Sequence, residues 1–162
     1  MIRAEGSIGV SLLECVNPKK NKWRVRWDVQ SKENDPNSAT YMEEEFDHRP
    51  TIDEIKSLII GWYNSQIDND ILSGMTYNGI KVWLSSENQF NYKAAYDLAA
   101  QTNGKSLPVV FKFGTEDEPV YKQFNTMEEL TNFYSQSMAY VQNTLAKGWQ
   151  VKDSIDFSKY KI

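Results

Sequence analysis

The sequence predicts an α+β fold in which antiparallel β-hairpins pack against three amphipathic helices, within one compact domain spanning residues 1–162. Three observations carry this. Stretches such as "WRVRWDVQ" and "PVVFKF" alternate apolar and polar residues with period two, the pattern of a strand with one buried face. Three S/T-x-x-E/Q signals stand directly before apolar residues at helical spacing. Neighbouring strand segments are joined by short turn-rich text, which pairs them antiparallel. The order hairpin, then T-x-x-E-capped helix, occurs twice ("TIDEI" and "TMEEL"), giving two ββα-like halves.

In chain order, Ser7 to Val16 reads as a weak strand, followed by a turn at Asn17-Pro18. Trp23, Val25, Trp27 and Val29 form the inward stripe of the next strand. "SKENDPNS" is a long hairpin loop, and "TYMEEEF" returns as its partner strand. Arg24 and Arg26 then face Glu43 and Glu45 across the hairpin, where opposite charges are worth roughly 0.2–1 kcal/mol per pair. Thr51 and Glu54 cap a helix from Ile52 to about Leu72 that stops at Gly74. Asn78-Gly79 is a turn before a short strand ending at Leu84. Ser86 with Gln89 caps a second helix, with Phe90, Ala94 and Leu98 on one helical face and Gly104 as its left-handed terminator. A second hairpin spans Leu107 to Phe124 around the turn "TEDEP". Thr126 and Glu129 cap a third helix ending at Gly148, and Ile155, Phe157 and Tyr160 dock a short tail with a frayed end. The count is about six strands and three helices. The weakest joint, Ser73–Tyr77, would divide the chain into sub-lobes 1–73 and 74–162.

Composition excludes several functions. Basic and acidic residues number 18 and 22, for a net charge of −4, which argues against general nucleic-acid binding. No apolar run approaches membrane-spanning length, so no membrane association is expected. The lone Cys15 permits no intrachain disulfide and suits a reducing compartment, the cytoplasm.

Catalytic chemistry has little material. With one His and one Cys there is no paired-ligand zinc motif, and the acidic run Glu43 to Asp47 alternates between strand faces, unlike a calcium loop. A nucleophile elbow and a phosphate-binding glycine loop are both missing. A catalytic reading would have to use His48, Ser85 or Ser86. His48 lies between Asp47 and Arg49 and reads as an ion-paired junction residue; the serines read as helix punctuation. No catalytic residue, cofactor or metal ligand is therefore assigned, and enzymatic activity is not expected. Trp23, Trp27 and Trp62 fall on core stripes. Trp83, Tyr92, Tyr96 and Tyr121 fall on less committed faces and form the candidate interaction surface.

The text from "ILSGMTYNGIKVWLSSENQF" through "AKGWQVKDSID" resembles a small uncharacterised domain family of tailed bacteriophages and prophages. Its members often lie beside tail-fibre genes or at the end of tail-fibre assembly proteins. The shared pattern is the helix Ile52–Leu72, the strand from Asn78-Gly79 to Leu84, the Ser-capped helix from Glu87, the strand Pro108 to Phe113, the turn Thr115 to Pro119 and the helix Met127 to Lys147. The likeness covers about Ile52 to Asp156. It implies a non-catalytic accessory protein that binds a tail-fibre or other tail component, as assembly factor or minor structural part, and that works in the host cytoplasm or stays with the virion. It supplies no catalytic residue. Self-association remains open. The alternative, from the aromatic residues alone, is a small-ligand or glycan-binding module that uses Trp83 and neighbouring tyrosines.

Overall fold

The computed structural model describes residues 1–161. The architecture is α+β, with eight strands and three α-helices among those residues. The chain divides into two compact units. One holds Met1–Trp62 with the tail from Ser154, and the other is Tyr63–Asp153. The expected joint at Ser73–Tyr77 is thus displaced into the first helix, and the tail belongs with the first unit. The tail is held there because Tyr160 is buried with its hydroxyl donating to the Arg26 carbonyl at 2.8 Å.

In the first unit, β1 (Ile2–Ser7), β2 (Leu13–Asn17), β3 (Lys22–Lys32) and β4 (Asp35–Phe46) form one antiparallel sheet in the order β1-β4-β3-β2. Of the single weak strand expected at Ser7–Val16, only the part from Leu13 on forms β2; β1 ends at Ser7 and lies on the opposite edge of that sheet. The long loop expected after Gln30 is mostly strand, because the ladder continues to the pair Lys32↔Asp35. Alternation along β3 fails at Asp28, whose φ of 51° makes a bulge. Val29, expected inward, is consequently exposed, while Val25 and Trp27 stay buried. The Trp27 ring meets Trp62 edge-on at 6.1 Å.

α1 (Ile52–Ser73) starts as the sequence predicts. Glu54 accepts from the Thr51 backbone N–H at 2.7 Å and from the Thr51 hydroxyl at 2.8 Å, and the Glu54 N–H donates back to that hydroxyl. His48 adds a contact to Glu54 Oε1 at 2.9 Å. These bonds, the backbone one foremost, lower the Glu54 pKa from 4.5 to about 2. A carboxylate with a depressed folded pKa stabilises above its unfolded pKa and loses that contribution as pH falls through the folded one. Wild type should therefore melt above Glu54→Gln by a constant margin at pH above 4.5, and the margin should vanish as pH falls toward 2. A margin that is the same at both ends would remove Glu54 as the titrating cap.

The second unit contains the rest of α1, the two-residue ladder of β5 (Thr76–Tyr77) and β6 (Ile80–Lys81), α2 (Ser86–Gln101), the hairpin of β7 (Val109–Gly114) with β8 (Pro119–Phe124), and α3 (Met127–Asp153). Asn78 and Gly79 both take positive φ, the geometry of a tight hairpin turn. Gly104 is left-handed and its N–H reaches the Ala99 carbonyl at 2.7 Å, closing α2 as expected. The cap of α2 is displaced by one residue: Ser85, not Ser86, accepts from the Asn88 N–H. α3 begins with the expected box, Glu129 accepting from Asn125 and Thr126. It does not stop at Gly148 but runs on to Asp153. That glycine serves proximity: a Cβ there would overlap Ile67 Cδ1 and Cγ1 of α1. The core is aromatic, with Tyr77, Tyr92, Phe113, Phe124 and Phe133 buried together and Phe111 packed against them. The order hairpin, then capped helix, recurs as β3-β4-α1 and β7-β8-α3, with two extra strands beside the first hairpin. The fraying expected at the extreme end concerns Ile162, which lies outside the described residues.

Candidate functional site

Val82 and Leu84 are fully buried after β6, so the intervening Trp83 must point outward. Backbone bonds hold this segment: the Val82 N–H donates to the Met75 carbonyl and the Leu84 N–H to the Leu72 carbonyl. The indole is fixed as well. Its Nε1–H donates to the Gly114 carbonyl at 2.8 Å, while the Asn88 amide donates to the Trp83 carbonyl at 2.9 Å. Lys81 Nζ lies 5.0 Å from the ring centroid. Beside the ring is a groove of about 350 Å³ lined by Trp83, Asn88, Lys112, Phe113, Gly114, Thr115 and Glu116. Gly114 closes its floor at φ 83°, where a Cβ would overlap the Glu118 carbonyl.

The four rings of the expected surface separate. Trp83, 36% exposed, and Tyr121, 68% exposed, face outward. Tyr121 stands opposite Lys112 on the outer side of the β7-β8 hairpin, with Val110 and Gln123. Tyr96 is half-buried and stacks on Tyr134 at 4.7 Å. Tyr92 is a correction: only 3% exposed, it packs on Phe111 at 4.7 Å and Phe133 at 5.0 Å, and burial pushes its phenol up to about 12. The face of α2 that carries Phe90, Ala94 and Leu98 is turned outward. Phe90 is 70% and Leu98 52% exposed, with Ala94 exposed between them. α2 carries two apolar stripes at helical spacing, Phe90/Ala94/Leu98 and Tyr92/Tyr96/Ala99. The second wins because its rings meet the aromatic side chains of β7 and α3. The sequence held that signal in the phenylalanines of "VVFKF", but only proximity in space connects them to Tyr92.

The side chains nearest to a catalytic reading have local work. His48 is bonded to Glu54, Ser85 caps α2, and Ser86 opens it. Cys15 is a half-buried free thiol in β2. Among the described residues no group of three or more His, Cys, Asp or Glu is placed to hold a metal ion. No helix among them is long and apolar enough to cross a membrane.

The predicted charge ladder is present. Arg24 faces Glu45 and Arg26 faces Glu43. Arg26 goes further than a surface pair. It is buried, donates to Glu43 and Glu14 at 2.7 Å each and to the Ser11 carbonyl at 2.9 Å, and lies 5.6 Å from the Tyr41 ring centroid. Burial alone would lower the pKa of its guanidinium; the two carboxylates overcome this and raise it.

A family model described as a domain of unknown function, DUF4376, matches residues 54–161. The chain belongs to the DUF4376 family. The DUF4376 match takes in nearly all of α1, the whole second unit and the docked tail, and leaves the four-stranded sheet outside. It covers nearly the same stretch that carries the resemblance seen in the sequence. No curated protein and no solved structure matches the chain.

Proposed function

We propose that this protein is a non-catalytic accessory protein that binds a tail-fibre or other tail component of a phage or prophage, as assembly factor or minor structural part, in the cytoplasm of the bacterial host. The resemblance of Ile52 to Asp156 to tail-associated domains supplies the partner. The observation that supports a binding role is the outward stripe Phe90, Ala94 and Leu98 on α2. An aromatic and a leucine two turns apart, with alanine between, are the anchors of a helix laid into an apolar groove. Nothing inside the second unit needs them there, because Tyr92 and Ala99 already fill the inward face.

Co-expression with the fibre protein of the same genome should give a co-purifying complex. Phe90→Ser with Leu98→Ser should weaken it at least tenfold, since anchors of this kind are worth about 2 kcal/mol or more. The melting temperature should hold, as both side chains are exposed. A full-strength complex with the double variant would discard this face; no complex with wild type would discard the reading.

A further inference from the structure

We infer that the groove beside Trp83 is a binding site for a neutral saccharide. It goes beyond tail-component binding and uses different residues. The ring is held ready. Its one polar atom is satisfied by the Gly114 carbonyl, so what it offers a ligand is its apolar face. Lys81, whose ammonium lies 5.0 Å from the ring centroid, is not among the residues that line the groove. A sugar ring presents a C–H face to stack on an indole and a rim of hydroxyls, each of which both donates and accepts.

The groove supplies that second requirement. Asn88 uses its amide N–H on Trp83, which leaves its carbonyl oxygen without a partner among the described residues. Glu116 brings a carboxylate whose side chain is 95% exposed, and Lys112 an ammonium 3.6 Å from it. The Thr115 hydroxyl accepts from the Glu118 N–H, keeping its own proton to donate. Donors and acceptors thus ring one apolar plate, the usual make-up of a small-molecule site, and the volume of about 350 Å³ lies within the normal range for such sites. Charge selects the class. Lys112 is offset by Glu116, and Asp117 and Glu118 follow in the same turn. An acidic sugar or a phosphate would be repelled by the excess of carboxylates at this turn; a neutral sugar would not.

The test is titration of the full chain, followed by amide chemical shifts, with malto-, cello-, xylo- and chito-oligosaccharides, a uronic-acid oligosaccharide and a polyproline peptide. At least one neutral oligosaccharide should bind with a Kd of about 1 mM or tighter. Its shifts should centre on Trp83, Asn88 and the Lys112–Glu116 turn. Trp83→Ala should weaken binding at least tenfold. Trp149→Ala, which removes an exposed indole elsewhere in the second unit, should change nothing. Should Trp83→Ala fail to fold, Lys112→Ala with Glu116→Ala, both on the exposed hairpin end, takes its place with the same expected loss. Binding of no neutral sugar, preference for the uronate or the peptide, or equal losses from Trp83→Ala and Trp149→Ala would each overturn the assignment. None of these outcomes bears on the fibre complex, which is read from Phe90 and Leu98.

Discussion

Phe133→Ala should destabilise the second unit by about 3–5 kcal/mol, the usual loss when a fully buried phenylalanine is truncated. Phe133 is completely buried, and its ring is the hub of the core. It lies 5.0–5.1 Å from the rings of Tyr92, Tyr77, Phe113 and Phe124, and 5.7 Å from Phe111. One truncation therefore opens a cavity bordered by α2, β5, β7, β8 and α3 at once. Stiff rings cannot collapse into such a space, which places the loss toward the upper end. Urea unfolding followed by the near-ultraviolet aromatic signal measures it. A loss below about 1.5 kcal/mol would mean that the rings repack and that Phe133 is no hub.

Arg26→Ala should cost about 3–5 kcal/mol in the first unit, because it leaves the buried Glu43 carboxylate without its main partner. Arg26→Met with Glu43→Leu should recover most of that, since replacing a buried ion pair by apolar groups of similar volume is often neutral or better. Exchanging the two charges should not recover it, because Glu14 and the Ser11 carbonyl would then face a second carboxylate. At the outer pair, Arg24 with Glu45, the same exchange should recover the loss, and single changes there should stay within about 1 kcal/mol. Thermal melts of both sets decide it; full recovery on charge exchange at Arg26 and Glu43 would show that they behave as a surface pair.

These two sites mark how far the sequence could be read. The cross-strand partners of Arg24 and Arg26 were legible, because the register of an antiparallel hairpin follows from alternation and turn placement. The burial of Arg26 was not, because Glu14 and Ser11 come from the segment at β2, outside the hairpin that pairs Arg26 with Glu43. The bulge at Asp28 was hidden for a related reason: one residue in a left-handed conformation leaves little trace in an apolar-polar pattern yet turns Val29 outward.

By itself the sequence determined what depends on neighbours along the chain. The α+β class follows from apolar periodicity along the chain, the boxes Thr51/Glu54 and Thr126/Glu129 from side chains bonding to backbone a few residues away, and the turn at Asn78-Gly79 and the stop at Gly104 from residues that accept a positive φ. The tertiary structure alone decided which stripe of α2 is buried, that Gly148 admits Ile67 instead of ending a helix, that the tail returns to Arg26, and that Trp83 borders a groove while Tyr92 fills a core. Each of those is settled by volume and partners supplied from distant segments. A helix with two apolar faces shows no preference until another surface is there to receive one of them.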